Sequence, residues 1–186
     1  MLGAGFRILS TAPIAVKACQ VDSQLDRLYT AHLKSKAIGQ MRTATKSGKY
    51  MSTVGEVYFA MYGDDFEPDD VTTHVGLPAT QTFRKGQRRP DVPIPRHSSW
   101  KVSNGKIEDA VVSVYEMSDD LVARLAPYVE KLIEAKNLFN LSCVFQVVLW
   151  IDQNEDASMP AIGFEAPVIA FIHAVGATID IDTYRN

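Results

Sequence analysis

"LSCVFQVVLWI" spans Leu141–Ile151, and its reading decides the architecture. From Cys143 onward the only polar side chain in it is Gln146. A strand points successive side chains to opposite faces. One that is apolar on both faces belongs inside a sheet rather than on its wet rim. The run is too short to cross a bilayer as a helix. It therefore predicts a central strand, around which the remaining elements must be arranged.

Upstream, Leu121, Leu125, Val129, Leu132 and Ile133 recur on one face at helical spacing. Ser118 reads as the N-cap, with Asp119 and Asp120 in the positive first turn. The helix is predicted from Ser118 to about Ala135, with Pro127 placed to kink it. Downstream, "QNEDASMP" reads as a polar turn and "AIGFE" as a paired strand. "APVIAFIHAVG" is a helix with Pro167 in its first turn and Gly176 as its stop. "ATIDIDTY" closes the chain as a strand, Ile179 and Ile181 facing one way and Thr178, Asp180 and Asp182 the other.

Nearer the N-terminus, "VYFAMYG" (Val57–Gly63) is β-branched and aromatic and reads as a strand. "DDFEPDDVTTHVG" predicts a short helix, capped by Asp65 or Glu67, with Pro68 in its first turn and Gly76 at its left-handed exit. Leu77 to Ser99 holds four prolines and reads as a long irregular stretch. "SSWKVSNGKIED" predicts a strand, a turn at Asn104-Gly105 and a return. "AVVSVYEM" reads as a further strand. The mixture predicts an α+β domain, an antiparallel or mixed sheet with helices packed on one face. Its second half has the strand–helix–strand–strand–helix–strand order of a ferredoxin-like unit.

Charge divides the chain. Residues 1–50 carry 8 Lys and Arg against 2 Asp and Glu, and the rest carries 11 against 20. Two readings of the first 50 residues stay open: a basic extension upstream of a true start at Met51, or an appendage with one amphipathic helix bearing Leu25, Leu28 and Leu33. Residues 51–186 are expected to form a single domain. Cys19 and Cys143 make no disulfide framework, so a reducing, cytoplasmic setting is expected. No run of about 18 apolar residues predicts a transmembrane helix.

Several stretches together resemble the mainly bacterial family called domain of unknown function 4279. They are "VYFAMYGDDFEPDDVTTHVGLPATQTFRKGQ", "HSSWKVS" and "GFEAPVIAFIHAVGATIDIDTY", within Val54–Tyr184. The resemblance implies an α+β fold and assigns no activity. By analogy, small bacterial families of this style are similar to immunity proteins of toxin systems.

The candidate chemistry is sparse. In "FRKGQRRP", Arg84, Lys85, Arg88 and Arg89 could hold an anion, against the plainer reading of a solvated loop. The spacing is not that of a phosphate loop. Four cations on an otherwise acidic domain argue against nucleic acid and for an acidic protein partner or a small anionic ligand. Asp180 and Asp182 share a strand face about 7 Å apart, and could act as paired carboxylates or simply line a wet edge. Trp100 could line a cleft or anchor a core edge. His32, His74, His97 and His173 lack ligand spacing, and no nucleophile elbow, metal motif or cofactor motif is present. Cys143, mid-strand, is expected to be buried and inert. The expectation is a protein-binding module, immunity-like in its concrete form, with Trp100, Arg88 and Arg89 as anchors. The alternative is a small-ligand protein or enzyme with a polar pocket of Asp180, Asp182 and the basic loop.

Overall fold

The computed structural model describes residues 52–88, 90, 93–154 and 157–185. The leucines of the possible N-terminal helix, Cys19 and Arg89 lie outside them. Five strands form one mixed sheet. In chain order they are β1 (Thr53–Gly63), β2 (Gln81–Phe83), β3 (Ser98–Asp109), β4 (Ser142–Ile151) and β5 (Thr178–Arg185). In space the order is β2-β3-β1-β4-β5. All neighbours are antiparallel except β4 and β5, which run parallel.

The expected interior strand is β4, flanked by β1 and β5. Its Cys143, Phe145, Val147 and Leu149 join Val57, Phe59, Met61, Trp100 and Val102 in one buried core. The helices supply the other half of that core. They are α1 (Pro68–Val75), α2 (Val114–Leu125), α3 (Val129–Leu138) and α4 (Ala166–Val175). Phe171 of α4 meets Phe59 edge-on, with ring centroids 5.7 Å apart. All four helices contribute to this one core, so they cover one face of the sheet and the fold is α+β as expected.

The helix ends follow their chemistry. α1 opens on Pro68 after an extended Glu67 and closes at Gly76, φ 77°. α4 closes at Gly176, φ 57°. The long predicted helix bends at Pro127: α2 passes through one 3₁₀ turn, Ala126–Tyr128, into α3.

Several local expectations are corrected. The helix begins a turn earlier, because extended Ser113 accepts the Glu116 amide at 3.4 Å, while Ser118 is buried within α2. "AVVSVYEM" is therefore a connector and a helix start. "AIGFE" contributes only a single parallel bridge, Ala161 to Ser113. With neither strand formed, the second half lacks the expected ferredoxin-like order. Finally, Asn104-Gly105 is no hairpin turn. β3 continues through it as a bulge opposite Val57, Gly105 taking φ 92°. The long irregular stretch also contains β2.

Candidate functional site

The basic loop folds back onto the start of α1. Arg84 donates from Nε to Glu67 Oε2 at 2.8 Å and from Nη2 to Asp69 Oδ2 at 2.6 Å. Lys85 Nζ and His97 Nδ1 both reach Asp64 Oδ1, at 3.2 and 2.7 Å. Gly86, φ 74°, donates its amide to the Pro95 carbonyl at 2.9 Å and closes the loop. The hydrogen bonds from His97 and Lys85 hold the Asp64 carboxyl below its ordinary range. Those to Glu67 and Asp69 raise Arg84. An open cleft of 540 Å³ lies here, and Asp64, Asp65, Glu67 and Asp70 outnumber Arg84 and Lys85 around it. The loop is thus a set of internal ion pairs beside acidic groups, a poor seat for an anion. Arg88 is exposed.

Trp100 points into the core. It is wholly buried, and its Nε1 donates to Thr72 Oγ1 at 2.9 Å, fastening α1 to the sheet. It is a structural anchor and no surface contact, which corrects the expectation that it binds a partner. Cys143 is buried as expected, and burial pushes its thiol up to about 11.

Asp180 and Asp182 lie on β5, whereas Arg84 and Lys85 follow β2, at the opposite edge of the sheet. Four inter-strand steps of about 4.8 Å put some 19 Å between those edges. Groups that must meet one reacting centre cannot work across that distance. The polar pocket expected from these two acids and the basic loop does not assemble. Among the described residues, no group of three His, Cys, Asp or Glu is placed to hold a metal ion.

What the structure does gather is a polar and aromatic surface on the sheet face opposite the helices. Alternation sends Glu56 and Tyr58 of β1, Lys101 and Ser103 of β3, and Gln146 and Trp150 of β4 to that face. Asp180, Asp182 and Tyr184 of β5 share it through their register with Gln146, Val148 and Trp150. Lys101 lies 3.7 Å above the Tyr58 ring and reaches Glu56 Oε1 at 2.7 Å. Ser103 Oγ donates to the same carboxylate oxygen at 2.9 Å. Burial works to raise the Glu56 carboxyl, but hydrogen bonds from Lys101 and Ser103 outweigh it and leave it lowered. Burial, then the charges of Glu56, Asp182 and Asp180, raise the Tyr58 phenol. Gln146 Nε2 donates to Asp182 Oδ2 at 3.1 Å. Trp150 stacks on Tyr184 at 6.0 Å and 22°, and Lys106 Nζ sits 3.9 Å over the Trp150 ring.

Sequence reasoning found Asp180 and Asp182 but missed the rest of this surface. The available signal was the alternation itself. Gln146 interrupts an apolar strand, and Glu56 and Lys101 each sit between residues destined for the core.

The fold and this surface define a class: a two-layer α+β domain with helices on one sheet face and charged and aromatic side chains on the other. The family model described as a domain of unknown function, DUF4279, matches residues 51–186, and the chain belongs to that family. No curated protein and no solved structure matches it. Among the described residues, no helix is long and apolar enough to cross a membrane.

Proposed function

We propose that this protein is a protein-binding module whose contact surface is the β5 edge, where Asp180 and Tyr184 are exposed while Ser103 and Gln146 further into the sheet are buried. The stacked Trp150–Tyr184 pair, flanked by Asp180 and Asp182 at the edge of the face opposite the helices, carries the reading. Aromatic side chains concentrate in protein interfaces, because they bury large area at low conformational cost. Tyr184 is half exposed, so its area remains to be buried by a partner. The excess of acids over bases beyond residue 50 favours a basic partner by charge complementarity. An immunity-like role, an acidic domain masking the basic surface of a toxin, is its concrete form.

The test is affinity capture from host lysate with the full chain, using wild type, Tyr184→Ala and Arg88→Glu as baits. The expected result is a near-stoichiometric partner held by wild type and Arg88→Glu and depleted on Tyr184→Ala. Equal recovery on all three baits, or loss on Arg88→Glu alone, would refute this placement of the interface.

A further inference from the structure

The β5 edge carries information about the kind of partner segment it fits. Among the described residues β5 pairs only with β4, so the N–H and C=O groups along its outer side lack a strand partner. The strand runs through Thr178–Arg185 in unbroken register, with no proline, glycine or bulge. Short strands, prolines and bulges are the usual protections of a sheet edge. The opposite edge has the first of these, β2 being only Gln81–Phe83.

Side chains on the two faces of β5 differ in what they would accept. On the helix side, Ile179 and Ile181 remain 42% and 40% exposed, although their neighbours Phe145 and Val147 are fully covered. The helix layer stops short of the edge and leaves an apolar row half covered. On the open side stand Asp180, Asp182 and Tyr184. Among the described residues neither acid has a cation within salt-bridge distance, and Asp182 is met by the neutral Gln146 amide. Lys106 Nζ lies over the Trp150 ring, and Trp150 stacks on Tyr184, which is 50% exposed on the edge strand.

A second copy of this chain is a poor occupant in the registers that pair most of the strand. Antiparallel two-fold pairing of β5 with itself, centred on Ile181, sets Asp180 opposite Asp182 on both sides of the axis. Moving the centre by one residue sets Asp180 opposite Asp180, or Asp182 opposite Asp182. Like charges directly across a ladder, about 5 Å apart, are destabilising. Strand addition in general takes affinity from the main chain and specificity from alternate side chains. Here the two specificities are fixed by Ile179 and Ile181 on one face and by the carboxylates of Asp180 and Asp182 on the other.

We propose that β5 accepts a sixth strand from a partner protein, an extended segment in which apolar residues alternate with Lys or Arg. The apolar residues lie beside Ile179 and Ile181, and the basic ones beside Asp180 and Asp182. A planar side chain beside Tyr184 would pack on that half-exposed ring. This rests on the protein-binding reading above and names the partner's chemistry.

The probe is a fluorescein-labelled eight-residue peptide alternating valine and lysine, titrated into the full chain and read by anisotropy. Two controls accompany it: the same peptide with glutamate for lysine, and the lysine peptide N-methylated at alternate amides. The expected result is saturable binding of the lysine peptide, at least tenfold tighter than either control. Asp180→Lys with Asp182→Lys, its fold checked by circular dichroism, should reverse the preference toward glutamate. Equal affinity for lysine and glutamate peptides overturns the proposal. So does undiminished binding of the N-methylated peptide, which would reduce the contact to charge alone. A dimer in sedimentation that Ile181→Pro dissolves would assign the edge to a second copy and likewise overturn it. A captured partner that depends on Tyr184, with no peptide preference, refutes strand addition and leaves the binding module standing. The absence of both refutes the two together.

Discussion

Removing the Lys101 ammonium, as Lys101→Met, tests whether the open face is a built surface or a row of independent side chains. Lys101 Nζ and Glu56 Oε1 are 2.7 Å apart, and the two side chains are only 15% and 14% exposed. At that distance, with an effective dielectric near 20, their attraction is about 6 kcal/mol. Desolvating two ions offsets several kcal/mol of this, so the net value of the pair is about 1–2 kcal/mol. Deleting one partner costs more than the pair is worth, because Glu56 then keeps the Ser103 hydroxyl, the weaker pull of the Lys106 charge and whatever water reaches it. A stripped, mostly buried carboxylate of this kind costs about 2–3 kcal/mol. The methionine stem preserves packing on Tyr58 and forfeits about 1 kcal/mol of cation–π attraction, part of the same total.

The assay is urea unfolding of the full chain for wild type, Lys101→Met, Glu56→Gln and the double variant. With a slope of about 2 kcal/mol per molar, the Lys101→Met midpoint should fall by about 1 M urea. The cycle should return a coupling of about 1–2 kcal/mol. Its pH dependence has a definite sign. The Glu56 carboxyl is lowered in the folded state, so it stabilises the fold above its unfolded value and ceases to as pH falls through the folded one. The acid-side loss of stability should therefore be shallower in Glu56→Gln, below about pH 5. A Lys101→Met midpoint within about 0.2 M of wild type, or a coupling near zero, would refute the reasoning.

Other predictions concern the covered face. Ser118 is fully buried and its hydroxyl has no hydrogen-bond partner among the described residues, so Ser118→Ala should raise stability by about 1 kcal/mol, read as a higher melting temperature. A Cβ on Gly55 would come 2.6 Å from a Val112 methyl carbon and 3.2 Å from the Met117 sulfur. Gly55→Ala should accordingly cost about 1–3 kcal/mol in urea unfolding. Cys143 is buried with its thiol pushed up to about 11, so peptide mapping after iodoacetamide at pH 8 should find it unmodified in the native chain and alkylated in urea.

Much of the fold could be read from residues whose chemistry allows few alternatives. Gly76 and Gly176 take positive φ at helix ends, and Pro68 and Pro167 sit in first turns, because other positions would cost more. The errors arose where one local signal serves two structures. Asn104-Gly105 offers a positive φ, which a hairpin turn and a bulge both require, and the length of β1 opposite decided for the bulge. The β-branched run at Val111, Val112 and Val114 favours a strand by propensity. It loses to the helical spacing of Val114, Met117, Leu121 and Val122, all buried on one face of α2.

The candidate surface was less legible, because strand order is not written in periodicity. The sequence identifies Asp180 and Asp182 as sharing a face, yet nothing local says that β5 lies at the far edge from the basic loop. Nor does it say that acids near the start of α1 already serve that loop. Asp69 suits the positive end of the helix, and it also receives Arg84, as Glu67 does. Net charge made the loop look like an isolated cationic patch, whereas its neutralising carboxylates lie within about twenty residues in sequence and closer in space. The same logic runs the other way at β5. Among the described residues two carboxylates stand there on an edge with no strand partner and no cation, so unbalanced charge sits beside unbalanced backbone. A partner that satisfies the backbone row would have to answer the carboxylates as well, so selectivity and affinity arise from one strand.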